Sequence, residues 1–428
     1  MAVQPVGIDS LATASGILKT KFGAFFDLTP EQELLQKILG YTKFEKIGRN
    51  FETAVQLEYG HSVTALGDND QIVNFNGVEF TPVQNAISTA YAFAYREVIT
   101  ETLLQRASAE GPEAFVQASA YAIERAQKSM QRVVEELLMY GTTPLVQFTA
   151  TTSDINNSLI TSNPATFAPA VFIGVKGMPI DIYNASTKVK VLSTQVVSAN
   201  YQSKQLVLAS VSGLSNSVAY NIYRKGFYGL LPAGLYDIQG STSNLFGISE
   251  SDFELWYPNI ATAGSAALTY GIIANAIAQF KPKGLAPSLK GIIGEPSFID
   301  LLPSFNTTAN NNATPGARAS RMFVDGKGDL VHGYKDIQFV ANSIEVDLQT
   351  SPYQQYGLAD FVDPSSLIRI GSMDKPMKFM EVGGPERYFQ PIPNTSLYEF
   401  RLYSDLSLFT SERNRNLRIN NIVPGTGS

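Results

Sequence analysis

"SLYEFRLYSDLSLFTSERNRNLRINNI", Ser396 to Ile422, joins two unlike halves. From Leu397 to Leu408 apolar and polar residues alternate with period two, the pattern of a strand with one buried face. The second half then gathers Arg413, Arg415 and Arg418 among asparagines. Three explanations stand open for a strand that runs into such a turn: solvated surface, pairing with carboxylates within or between chains, and a grip on nucleic-acid phosphates. The interrupting asparagines, the neighbouring Glu412 and the lack of interleaved aromatic residues for base stacking weigh against nucleic acid.

Working outward, the chain is 428 residues long, and a single core rarely grows beyond ~250–300 residues, so two or more lobes are expected. Its formal charge is −6 and only 16% of its residues are charged, against about 25% in an average soluble domain. Much of the surface is therefore neutral and polar, which suits extensive subunit contact. The acidic balance argues against sequence-independent DNA binding, whose affinity comes from counterion release. With no cysteine there is no disulfide framework, thiol nucleophile or cysteine-held metal. The amino terminus has neither a basic nor a continuous apolar signal region, and no stretch approaches the ~18 apolar residues of a membrane span. We expect a product soluble when made, with no membrane partner.

Residues 1–46 read as an arm, with Thr29 and Pro30 opening a short helical pattern through Leu39. Two strand-like runs, 51–58 and 71–80, flank glycine and the "GDNDQ" turn, so 47–80 reads as an extended β-hairpin loop, with Asp68 and Asp70 at its turn as candidate contacts to a neighbour. Thr81 and Pro82 make an N-cap and N1 pair that predicts a helix to about Ala107. A second, longer helix is predicted over 112–140, where Ile123, Met130 and Val134 lie at multiples close to 3.6 and form its packing stripe. Glu135 is expected on its polar side, and Gly141 is a natural stop. At 1.5 Å per residue this helix would run roughly 43 Å, the length of a spine.

Beyond it, strands near 189–197, 205–211 and 218–223 suggest a small β insertion at about 185–225. Residues 265–280 return to helical spacing, 305–320 read as an exposed loop, and strand signals dominate from Gly333. The expected class is α+β, with 81–147 and 333–428 forming one lobe and 148–332 the other. The chain would leave the first lobe, build the second and return.

Chemistry-bearing motifs are sparse. His61 and His332 are the sole histidines, and their spacing predicts no shared metal site. "DGKGD", Asp325–Asp329, lacks the length and terminal glutamate of a calcium loop and reads as a tight turn. There is no phosphate-binding glycine loop and no GxSxG elbow. No catalytic, cofactor-binding or metal residues are assigned, and no enzyme is expected.

Taken in order, these pieces resemble the major capsid protein of tailed bacteriophages, with its HK97-like fold. The resemblance rests on "ANYQSKQLVLASVSGLSNSVAYNIYRKGFYGLLPAGLYDI", on "LFGISESDFELWYPNI" with Gly247 and Trp256, on "GYKDIQFVANSIEVDLQTSPYQQYGLADFVDPSSLIRI", and on the closing stretch. It implies a peripheral lobe carrying the spine helix, an axial lobe, and a 47–80 loop overlapping a neighbour. The implied function is self-assembly into pentamers and hexamers of an icosahedral shell around double-stranded DNA, in the virion, after assembly in the host cytoplasm. Scaffolding, portal and decoration proteins are the implied partners, and Arg413, Arg415 and Arg418 become candidate intersubunit contacts. Two departures from the family matter. No lysine lies between Lys46 and Arg96, so cross-linking from the loop is not expected, and 1–46 is too short and unlike a coiled coil to serve as a built-in scaffold. The alternatives are the shell of a cellular nanocompartment, a tail-tube or surface-layer protein, and, least favoured, a hydrolytic enzyme.

Overall fold

The computed structural model describes residues 33–45, 50–59, 83–89, 91–100, 112–240, 244–310, 323–324, 330–331, 337–380 and 390–425. Asp68, Asp70, His61, His332, Asp325–Asp329 and the expected strand 71–80 lie outside them.

The helix at Pro112–Tyr140 forms as its periodicity predicts and is 29 residues long. Met130 and Val134 are buried with Ala126, Leu137 and Leu138, while Ile123 is half-buried. Towards its carboxyl end the helix is enclosed on every side, and there the expected polar face fails. Glu135 is fully buried, and it accepts hydrogen bonds from Leu35 N (2.6 Å), Gln36 N (3.1 Å) and Gln36 Nε2 (3.2 Å). The two backbone donors are free N–H groups at the start of the short helix Leu34–Ile38, which need an acceptor wherever water is excluded. Next to it, Glu136 takes a forked contact from Arg224, Nε and Nη2 each at 2.6 Å, which ties the long helix to the strand Ala219–Arg224.

The helix expected over 81–107 is absent among the described residues of that range, 83–89 and 91–100. Val83–Thr89 and Tyr91–Thr100 are strands. The first pairs with Asn50–Gln56, so the hairpin partner of that strand is 83–89. The second pairs antiparallel with the closing strand, Leu397–Thr410, from Tyr91 opposite Leu406 to Thr100 opposite Leu397. Alanines at 86, 90, 92 and 94 lent the segment a helical look, but Tyr91, Phe93 and Tyr95 alternate and β-branched residues are frequent. Ten residues of pairing override a weak helix signal at 81 and 82. Arg125 on the long helix reaches Glu97 at 2.5 Å and so holds helix against strand.

The closing strand is the backbone of a six-stranded sheet that also takes in Tyr41–Lys43, Leu367–Gly371 and Lys378–Phe379. A second six-stranded sheet runs in the order 146–149, 219–224, 179–184, 190–200, 205–208, 159–161. Its two edges approach each other, with Asn163 N donating to Gln147 O at 2.9 Å, so it is nearly closed. The three strands expected as a small insertion are thus part of a wider sheet rather than a unit of their own. A third six-stranded sheet, in the order 260–262, 417–420, 359–362, 288–293, 344–350, 337–341, builds a second core with the helices Tyr270–Phe280 and Glu295–Asn310. The latter helix covers the start of the loop expected at 305–320. Strand 288–293 pairs with 344–350, so a division of the chain at 332/333 runs through this sheet.

The first testable consequence concerns Glu135. Burial raises its carboxyl from the ordinary 4.5 to about 7, against the pull of the donated N–H bonds. Since the folded value lies above the unfolded one, the folded chain holds this proton more tightly. The carboxyl therefore costs nothing below about pH 4.5 and a growing amount, roughly 3 kcal/mol in all, as pH rises to 7 and beyond. Glu135→Gln should flatten the fall in stability over that window, measured as denaturant midpoint against pH. A slope identical to that of the parent chain would contradict the burial.

Candidate functional site

The closing strand ends at Thr410 in the first core, and the strand Leu417–Asn420 begins in the second. Between them a short 3-10 turn, Arg413–Arg415, carries the chain across. Arg413 is 1% exposed. Its Nε donates to Ile238 O (2.5 Å), Nη1 to Glu250 Oε1 (2.6 Å) and Trp256 O (3.1 Å), and Nη2 to Gly240 O (2.5 Å) and Asp237 O (3.4 Å). All five donors of the guanidinium are engaged. Three of these acceptors are carbonyls at the end of the helix Leu235–Gln239, where unpaired C=O groups and the negative end of the helix dipole both favour a cation. Burial lowers the Arg413 pKa, and the hydrogen bond and charge of Glu250 oppose that shift.

The front of the same helix is held by Asp237. Its carboxylate accepts from Gly234 N (2.9 Å), Thr142 N (2.8 Å) and the Thr142 hydroxyl, just past the end of the long helix. Gly141 there has φ +53°, and a Cβ would fall 2.0 Å from Asp237 Oδ2 and 2.1 Å from Gly234 N. Glycine is required at this stop for space as well as for conformation. The long helix, Asp237, the short helix and Arg413 thus form one continuous set of contacts.

Arg418 lies in the terminal strand, donating from Nε to Asp360 Oδ1 (2.6 Å) and from Nη1 to Tyr236 O (3.1 Å), with its guanidinium 5.1 Å from the centre of the Tyr236 ring. With its amide nitrogen turned inward, Gln239 also donates to Asp360 Oδ1 at 2.6 Å and to Leu417 O at 3.3 Å. Arg415 pairs with Asp363 (2.5 Å) and Glu412 (3.1 Å) and stays 31% exposed. Among the polar neighbours, Asn259 Nδ2 donates to the carbonyls of Asn414 (2.6 Å) and Asn416 (2.9 Å). The asparagines in this stretch are turn-builders.

Of the three arginines expected at intersubunit contacts, two turn towards their own chain. Arg413 and Arg418 face inward and meet carboxylates of their own chain, and Arg413 has no donor left for a neighbour. Only Arg415 keeps an exposed edge. Sequence reasoning missed the carboxylates Glu250, Asp360 and Asp363, which lie 52 to 163 residues away along the chain. One signal existed: Asp360 sits inside the apolar run "LADFV", and a charge placed there needs a partner. Among the described residues, no group of three or more His, Cys, Asp or Glu could hold a metal ion.

No protein-family profile matches the chain, and no curated protein does. Solved structures do resemble it. A chain of the cyanophage A-1(L) capsid asymmetric unit aligns over 93% of this chain and 95% of its own, with a TM-score of 0.53 and 12% identity. A chain of the native GTA particle capsid aligns over 94% of each with a TM-score of 0.44 and 8% identity, and one from an encapsulin complex of Synechococcus elongatus over 93% and 92% with 0.43 and 7%. The fold assignment rests on the first of these. The protein has a mixed α and β, capsid-like fold.

Arg413→Ala would take the guanidinium away from the buried carboxylate of Glu250 and from three helix carbonyls, a loss expected to cost about 3–5 kcal/mol. Arg415→Ala removes a part-exposed pair and should cost about 1 kcal/mol or less. Denaturant midpoints of the two variants, beside soluble yield, check this ranking. Equal effects would contradict it.

Proposed function

We propose that this protein is a major capsid protein, which assembles with copies of itself into pentamers and hexamers of an icosahedral shell around a double-stranded DNA genome. The observation that carries this reading is the likeness to the cyanophage A-1(L) capsid chain, which extends over 93% of this chain and is not confined to one lobe. In this reading the fold is HK97-like. The long helix with strands 91–100 and 397–410 is the peripheral lobe, the sheet that holds 288–293 and 417–420 is the axial lobe, and 47–80 is the loop that overlaps a neighbour. The protein acts as a structural component of the virion, without catalysis, and any scaffolding, portal or decoration function comes from separate chains. The neutral surface fits broad contact between copies. Contacts between subunits fall to groups other than Arg413 and Arg418, and Arg415 remains available.

Size-exclusion chromatography and electron microscopy of the purified full chain test the proposal. Closed shells with five-fold and six-fold capsomers, able to protect packaged DNA from nuclease when recovered from infected cells, are expected. Open sheets or tubes, shells that enclose a protein cargo and no genome, or a monomer with hydrolytic turnover would each overturn it.

A further inference from the structure

Glu97, held by Arg125 of the long helix, points to one face of the strand Tyr91–Thr100, and by alternation Arg96 points to the other. On that second face Arg96 stands directly opposite Arg401 of the closing strand. Like charges so placed repel each other. One carboxylate is shared between them: Glu399 accepts from Arg96 Nε on one oxygen and from Arg401 Nη2 on the other. Glu399 is buried and both guanidiniums are half-exposed, so the cations cover the acid. Two positive charges meet one negative charge, and the site is short of one carboxylate. Ala92 and Ala94, exposed on the same face, leave the approach to it open.

The complement lies past the other end of the closing strand. Arg413 holds both Glu250 and the carbonyl of Trp256, which pins the turn between them. Asp252 is exposed on that turn, where its carboxylate accepts from the Ser251 hydroxyl at 3.1 Å. Glu254, also exposed, acts on Lys283 of its own chain, which leaves Asp252 as the acid of the turn turned outward. From Arg401 to Thr410 the strand spans ~30 Å, and Arg413 follows beyond it. Each chain therefore carries a cationic site and a fixed carboxylate too far apart to meet each other. That is the layout of a head-to-tail contact, the kind that closes a ring of copies. A polyanion is the poorer match, because the chain as a whole carries a net charge of −6.

We propose that Asp252 of one copy docks between Arg96 and Arg401 of the next, where two guanidiniums and two carboxylates balance. The contact rests on the shell assembly proposed above, and it names the two surfaces by which neighbouring copies meet.

The absence of cysteine from the chain allows a direct test. The full-length double variant Ala94→Cys with Ser251→Cys places a thiol beside each half of the contact and keeps Arg96, Arg401 and Asp252. Within one chain these positions are much farther apart than the ~7 Å between Cα atoms that a disulfide allows, so a bond forms only between copies. Mild oxidation of the assembled protein should give a ladder of linked chains beyond the dimer, against dimers at most from either single variant. Asp252→Lys should keep the denaturant midpoint of the parent chain and lower the assembled yield severalfold. Electron microscopy of the same samples separates the failures. Particles whose chains stay unlinked, or unchanged assembly of Asp252→Lys, would overturn this contact alone. A parent chain that forms no particles would overturn it together with the shell reading. Normal particles of the double variant Arg96→Gln, Arg401→Gln that release DNA at lower salt than the parent would give the site to phosphates and equally overturn it.

Discussion

The buried guanidinium of Arg413 is the contact on which the arrangement of the two cores depends. An isolated charge in an apolar interior costs several kcal/mol, and the cost is met only where every donor finds an acceptor. Here one side chain from the turn after the closing strand meets the end of the helix Leu235–Gln239 and the carboxylate of Glu250. The opposite end of that helix is held by Asp237 against the end of the long helix. The turn can leave the first core and enter the second only along this path, because any other course would strand the charge. The strand with a buried face runs into an arginine-rich turn for this reason: the strand closes one core, and the arginines fasten it to the other.

The same logic governs the acids. Glu135, Glu136, Asp237, Glu250, Asp360 and Asp363 are all buried, and each is matched to N–H groups or to an arginine. A chain with 16% charged residues therefore spends a share of them inside. Such buried pairs need not add net stability over apolar packing, but they do tolerate few alternative arrangements.

Much of the fold is legible in the sequence where one period dominates. The helix over 112–140, its glycine stop, the helix ending at Phe280 and the closing strand all follow from regular spacing of apolar residues. Between 83 and 100 the alanines and the Thr81–Pro82 pair mislead, because the strand partners lie elsewhere in the chain, Asn50–Gln56 for 83–89 and the closing strand, about three hundred residues downstream, for 91–100. Glu135 and Glu136 mislead in another way. Their neighbours Val133, Val134, Leu137, Leu138, Met139 and Tyr140 surround the helix and leave no polar side, and that enclosure was visible in "RVVEELLMYG". The arginines were conspicuous, yet their partners were not, since pairing across 52 to 182 residues leaves no spacing to read.

Hydrogen exchange of backbone amides in the intact protein tests most directly whether the last strand is structural or a loose tail. Local opening free energies span from near zero at fraying termini to the global value in core strands. If Leu417–Asn420 is tied down by Arg413 and Arg418, the amides of Leu417, Arg418 and Ile419 should exchange as slowly as those of the central strand Ser288–Ile293. Exchange within seconds at neutral pH, as at an exposed chain end, would contradict the account.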